Sequence, residues 1–259
     1  MTAAQPVFTG VAVALLTFFD DDGDLDAAAS AEHAARLVDL GVRAVVVAGS
    51  TGEAATLEPA ERLTLLDAVC GPGGVDGRVP VVAGTGAPSA RQAAALTAAA
   101  ADHGADAVLA LSPPGTDDPR RYYDQVTAAA GGVSVLAYHF PAVSAPGIPV
   151  AALADLAVAG CKDSSGDPDR LLQTLSEWDR PLYVGTSALL ALAGPLGCPG
   201  AIVTLANAQP ELCVAAFAGD AAAQLELAPH HRAAGVRLPV GIKELTHHRF
   251  GTPTTVRVS

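Results

Sequence analysis

Lys162 follows the small apolar run Ala157-Val158-Ala159-Gly160-Cys161, where a buried strand would end. The chain writes nearly all its other positive charge as arginine: of 15 basic residues, only Lys162 and Lys243 are lysines. Lysine has a chemistry that arginine lacks, because its ammonium can give up a proton and the free amine can attack a carbonyl carbon. Small apolar surroundings disfavour a charged amine and so favour the nucleophile. Attack on a ketone yields an imine, and an imine acidifies the neighbouring carbon. Protons must then be moved, and a phenol is a suitable relay. Tyr138, near the end of the run VSVLAYHF, is the candidate. Two plainer readings stand beside these: a salt bridge from Lys162 to Asp163 or Asp167, and a tyrosine that only anchors a sheet.

The second chemical feature is AGSTGEAATLEPAE, residues 48–61. Gly49 and Gly52 would let the chain turn sharply after a strand, so that the N–H groups of Ser50, Thr51 and Gly52 converge on an anion. The hydroxyls of Ser50 and Thr51 add donors, and a small carboxylate is the natural guest. The alternative is an ordinary turn in which Thr51 or Glu53 caps a helix.

These groups need a scaffold. Eight short runs rich in Val and Ala read as strands, over 11–19, 44–50, 79–86, 107–113, 133–140, 158–164, 181–187 and 200–205. Helical patterns fill intervals between them, at 26–41, 57–69 with Pro59 in the first turn, 88–105, and 209–220 with Pro210 near its start. The alternation predicts an α/β fold, a (β/α)8 TIM barrel over residues 1–218, with 219–259 as a shortened C-terminal helical extension. An open doubly wound sheet would show a Gly-rich phosphate turn after its first strand, whereas FFDDDGDLD stands there and would repel phosphate.

A barrel of this kind does its chemistry at the C-terminal ends of its strands. Those ends supply Thr17, the Ser50-Thr51 turn with Glu53, Thr85, Ser112, Tyr138 with His139, Lys162 with Asp163, Ser164 and Ser165, Thr186 with Ser187, and Thr204. Hydroxyls dominate. Thr85, Ser112, His139, Ser164 and Thr186 are therefore candidate substrate contacts, His139 equally readable as a structural hydrogen-bonding group. No strand end gathers His, Asp and Glu into a ligand cluster, so metal-assisted chemistry is not expected.

The balance of 27 acidic to 15 basic residues, a net charge of −12, opposes nucleic-acid phosphates and anionic membranes, and neither partner is expected. No apolar run reaches the length of a bilayer span and the first ten residues lack a signal-peptide pattern, which points to a cytoplasmic protein. Four cysteines without a CxxC pair indicate neither a zinc site nor a disulfide framework. The pairs His230-His231 and His247-His248 read as solvated helix faces.

Taken in order, GSTGEAATL, AGTG, YHFP, GCKDSSGD and GAIVTLANAQPEL resemble the motifs of the N-acetylneuraminate lyase and dihydrodipicolinate synthase superfamily, across residues 8–215. The resemblance implies a class I, Schiff-base-forming lyase or aldolase. It would join or cleave a carbon–carbon bond between pyruvate, or another 2-oxo acid, and an aldehyde, as in 2-keto-3-deoxy sugar acid or 4-hydroxy-2-oxo acid chemistry. It further implies Lys162 as the imine-forming amine, Tyr138 as the proton relay, Ser50 and Thr51 as the carboxylate-binding pair, and Ile202 as a position whose backbone lies near the bound acid. Neither metal nor organic cofactor is implied, and a homo-oligomer, dimer or tetramer, is.

The pattern also departs from the family. Pro114 and Gly115 stand where dihydrodipicolinate-forming members resemble one another in a tyrosine pair, and Val143 stands where they carry an arginine for the second substrate's carboxylate. Phe18 replaces a usual proline and His139 a usual asparagine, and the region after Gly219 is compressed. Dihydrodipicolinate synthesis from aspartate semialdehyde is thus the alternative activity, and a catalytically idle barrel that binds a small acid is a second.

Overall fold

The computed structural model describes residues 5–116 and 118–257. Eight parallel strands close into one barrel in sequential order: β1 (Gly10–Ala14), β2 (Ala44–Val47), β3 (Val81–Gly84), β4 (Ala107–Leu111), β5 (Ser134–His139), β6 (Gly160–Asp163), β7 (Leu182–Val184) and β8 (Gly200–Val203). All eight coincide with the expected runs. The strands are shorter than those runs, most visibly at β1: Leu15 still donates to Val46 O, and beyond it the chain leaves the ladder, with Phe18 and Phe19 buried outside the barrel wall.

Alternation along each strand sorts its side chains. Ala12, Ala14, Val46, Val82, Leu109, Leu136, Tyr138, Tyr183 and Ile202 fill the interior, while Val11, Val13, Val45, Val108, Val135 and Cys161 face the surrounding helices. The N-terminal segment closes the floor: Phe8 stacks on Tyr183 with ring centroids 4.6 Å apart, and the Tyr183 hydroxyl accepts from Val7 N at 2.9 Å.

The four helices read from the sequence are present as α1 (Ala27–Asp39), α2 (Pro59–Cys70), α3 (Ala90–Asp102) and α7 (Pro210–Phe217). Their starts follow local chemistry. Asp26 and Ser89 cap α1 and α3, and Glu58 with Glu61 forms a capping box around Pro59. The outer layer also holds α4 (Arg120–Ala129), α5 (Pro168–Glu177) and the single turn α6 (Leu190–Ala193). Between β5 and β6 the connector is a 3-10 helix, Val150–Asp155, where the proline-rich stretch 141–149 delays helix formation.

After the barrel, α8 (Ala221–Gly235) lies over the strand ends, and α9 (Val240–Phe250) packs beside it. Among the described residues no helix is long and apolar enough to cross a membrane.

Candidate active site

Lys162 and Tyr138 are direct partners in the β5–β6 ladder, so both point into the barrel at the same height. Each is only 5% exposed. The Lys162 Nζ lies over the phenol ring, 4.2 Å from its centroid, and Phe140, two residues on, stacks on the same ring at 5.8 Å. The Tyr138 hydroxyl has Ser164 Oγ at 3.4 Å.

The salt-bridge reading of Lys162 is not what the structure shows. Asp163 alternates to the outside of the barrel, where it accepts from Arg170 Nε at 2.6 Å and from Ser165 Oγ at 2.6 Å. Asp167 caps α5, accepting from Asp169 N and Arg170 N. Among the described residues no carboxylate comes within ion-pair distance of Lys162.

Above Lys162 and Tyr138 opens a cavity of about 210 Å³, below the roughly 300–1,000 Å³ typical of drug-sized ligand sites. Ser50, Thr51 and Thr204 line one side, and Thr51 Oγ1 and Thr204 Oγ1 are 2.6 Å apart in a hydrogen bond. Ser164, Gly185, Thr186 and Ser187 line another side, and α8 closes the mouth with His231, Ala234 and Gly235, followed by Leu238. Thr186 Oγ1 also accepts from Ala188 N at 3.3 Å, starting a short helical turn. Among the described residues, Lys162 and the His231 imidazole are the only titratable nitrogen groups on this wall, and no carboxylate lines it.

The Ser50-Thr51 turn differs in detail from expectation. Positive φ occurs at Ala48 (50°) and Glu53 (55°), and the two glycines are not in that region. Gly52 is needed for space instead, since a Cβ there would meet Leu15 O at 2.9 Å. Its N–H closes the turn onto Gly49 O at 3.1 Å, and its carbonyl accepts from Thr17 Oγ1 at 2.7 Å. The N–H groups of Ser50 and Thr51 and the Ser50 hydroxyl remain for an anion, joined by the Thr51 hydroxyl where Thr204 is the donor in their shared bond. Gly49 contributes its carbonyl to the turn, accepting also from Ala54 N.

Glu53 makes no side-chain helix cap. Its carboxylate is fully buried, accepts from Lys243 Nζ at 2.7 Å and from Arg257 N at 2.8 Å, and so ties the back of the turn to α9 and the tail beyond it. Lys243 Nζ also donates to Thr255 O at 2.5 Å and lies 4.6 Å from the Phe19 ring centroid. Burial pulls the Lys243 ammonium below its usual range, and Glu53 opposes that pull.

Thr85, Ser112 and His139 point away from the cavity. Thr85 continues the outward parity of Val81 and Ala83 and accepts from Thr97 Oγ1 of α3 at 2.9 Å. Ser112 has the outward parity of Val108 and Ala110, its carbonyl accepting from Ser144 Oγ at 2.6 Å. His139 alternates away from Tyr138 and accepts from Ile148 N at 2.8 Å, which makes it the structural hydrogen-bonding group of the two readings. Burial, with the Arg170 guanidinium adding, lowers its pKa to about 4 against the opposing Asp163. Ile202 is fully buried inside the barrel opposite Ala12, below the cavity wall. Phe18 packs edge-on to His33 at 5.4 Å, in the outer core.

His231 was expected on a solvated face, and the structure sets it on the cavity wall, its Nδ1 2.8 Å from Ser187 Oγ. The spacing Leu227, His231, Ala234 marks one face of a helix and is the signal in the sequence that could have placed it.

A model of the dihydrodipicolinate synthetase family matches residues 7–250. An uncharacterized DapA-like lyase of Halobacterium salinarum is 38% identical over 218 residues, covering 80% of this chain and 70% of its own length. A 4-hydroxy-tetrahydrodipicolinate synthase of Pseudomonas aeruginosa is 34% identical over 275 residues, covering 97% and 92%. Among solved structures, YagE, a prophage protein of Escherichia coli K12 in complex with pyruvate, superposes with a TM-score of 0.87 at 26% identity, over 97% of this chain and 92% of that one.

Proposed function

The chain belongs to the dihydrodipicolinate synthetase family and is a Schiff-base lyase of that family, and on that premise we propose that Lys162 condenses with pyruvate and that the adduct reacts with an uncharged hydroxylated aldehyde. The observation that carries this reading is the placement of Lys162 Nζ: buried, held from any carboxylate, set over the Tyr138 ring and facing a wall of hydroxyls. YagE and the Acinetobacter baumannii dihydrodipicolinate synthase are both described with pyruvate bound.

In the forward direction the neutral amine attacks the keto carbon of pyruvate, and the carbinolamine, given a proton on its hydroxyl, loses water to leave a protonated imine on Lys162. The methyl carbon then loses a proton to give an enamine, whose carbon attacks the aldehyde carbonyl while a proton is delivered to the new alkoxide. Hydrolysis of the imine releases the product and restores the amine. Tyr138, beside Nζ and 3.4 Å from Ser164 Oγ, is placed for these transfers. The carboxylate of the acid fits the Ser50-Thr51 turn, where two N–H groups and the Ser50 hydroxyl remain to bind it and Thr51 adds its own hydroxyl where Thr204 donates to it.

The choice of aldehyde rests on the opposite wall. Aspartate semialdehyde carries a carboxylate that calls for a cation, and among the described residues the only titratable nitrogen on the cavity wall besides the reacting amine is His231, whose pKa burial lowers. Val143 is 58% exposed and lies outside the cavity wall, as do Pro114 and Gly115. The four free cysteines, unpaired in the structure, suit a reducing compartment, so we place the reaction in the cytoplasm. A homo-oligomer, dimer or tetramer, is the assembly we expect.

Borohydride added with pyruvate should leave a reduced adduct on Lys162, read by mass spectrometry of the peptide containing it. An unmodified Lys162 after this treatment rules out the reaction. With trapping established, faster turnover of aspartate semialdehyde than of glyceraldehyde would return the protein to dihydrodipicolinate synthesis.

A further inference from the structure

We propose that His231 is a substrate-binding residue of the second half-reaction, holding a hydroxyl of the incoming aldehyde from the α8 side of the cavity. The proposal rests on the pyruvate-lyase reading above and deepens it by assigning the group that selects the aldehyde. Strands and their loops supply the amine, the phenol and the carboxylate-binding turn. The lid over them comes from a different part of the chain, and of its lining residues, His231, Ala234, Gly235 and Leu238, only His231 has a side chain able to form hydrogen bonds.

The imidazole is held in place. Nδ1 is bonded to Ser187 Oγ at 2.8 Å, Ser187 is itself buried, and Gln224 of the same helix braces that loop through Ser187 O at 2.9 Å and Ala191 N at 2.9 Å. With Nδ1 engaged, Nε2 has no partner among the described residues and is the ring's open polar position. Its role follows the Ser187 bond: where Ser187 donates to Nδ1, Nε2 carries the proton and donates, and where Nδ1 donates, Nε2 accepts. A hydroxyl group satisfies both cases, being donor and acceptor at once. A carboxylate satisfies only the first. Burial, with Arg232 adding, lowers the His231 pKa, which agrees with a neutral ring rather than a cation for a carboxylate.

Ser164 and Thr186 stand on the same side of the cavity, so a short chain of hydroxyl-bearing carbons leaving the bond-forming centre would meet hydroxyl partners before reaching His231. The substrate class is an aldehyde of a few carbons with at least one hydroxyl and no charge at its far end.

The test compares the wild-type protein with His231→Leu and His231→Asn in three assays: borohydride trapping with pyruvate, and condensation of pyruvate with glyceraldehyde or with propionaldehyde, which has the same carbon count and no hydroxyls. Trapping should be equal in all three proteins, which also shows that the variants are folded. His231→Leu should raise KM for glyceraldehyde and lower its kcat/KM by about tenfold or more, with propionaldehyde changed less than about twofold, and His231→Asn should recover part of the loss. An unchanged preference for glyceraldehyde in His231→Leu overturns the proposal and leaves the lyase reading intact. Trapping without turnover of either aldehyde also overturns the proposal, leaving only the pyruvate-binding half of the lyase reading. Loss of trapping in the wild-type protein overturns the lyase reading itself, and this inference with it.

Discussion

The two lysines of this protein occupy opposite kinds of site. Lys243 is fully buried with Glu53 at 2.7 Å and the Thr255 carbonyl on the same nitrogen, an arrangement that satisfies an ammonium. Lys162 is nearly as buried, yet its close neighbours are an aromatic face and a cavity, and the carboxylate beside it in sequence belongs to Arg170. Burial alone therefore does not distinguish a structural lysine from a reactive one. The distinction lies in the partners, and strand alternation creates it by sending Asp163 to the other face of the barrel wall.

Exchanging either residue breaks that contrast at a different point. The largest effect is expected from Lys162→Ala and from Lys162→Arg alike: trapping and turnover should vanish, since arginine keeps the charge and cannot form the imine. Thermal melting should show both variants folded. At the other lysine, Lys243→Met leaves the Glu53 carboxylate buried without its cation, and denaturant titration should show a loss of about 3–5 kcal/mol. Adding Glu53→Gln should restore much of it, because the buried carboxylate charge that Lys243 faced is then gone. Tyr138→Phe keeps the ring beneath Nζ and removes the relay, so kcat should fall by about 100-fold while purified protein melts as before.

The smallest effect separates both lysines from the acid response. His33, buried between Phe18 and Phe250, has its pKa lowered to about 3, and His139 to about 4, in each case chiefly by burial. Their folded pKa values lie below the unfolded value near 6.5, so the unfolded chain binds more protons as pH falls through that value. Stability is complete above pH 6.5 and should decline below it by up to about 1.4 kcal/mol per pH unit for each histidine. Urea midpoints between pH 7 and 5 measure this, and His139→Asn should reduce the slope. A slope unchanged by that variant would assign the acid response to other groups.

The barrel was legible because eight apolar runs separated by helical patterns admit few arrangements, and because Lys162 was an exception to its own composition. The strand ends were harder. Reading them as rim residues put Thr85, Ser112 and His139 with Tyr138 and Lys162, although counting in twos from Val82, Leu109 and Leu136 sends all three outward. Glu53, read as a possible helix cap, and His231, read on a solvated helix face, differ for another reason. Their partners, Lys243 and Ser187, lie 190 and 44 residues away, and such pairings become visible only when the chain is folded.

That clasp has a consequence for how the molecule is assembled. Arg257 reaches Glu61 through both terminal nitrogens and Gly23 O through Nε, while its own N–H meets Glu53. A nascent chain that has completed all eight strands still holds the Glu53 carboxylate with neither Lys243 nor Arg257 yet synthesised. Residues 243–257 act as the keystone of the arch: the strands can stand early, but the turn that would grip the acid is locked from behind only when Lys243 and Arg257 arrive.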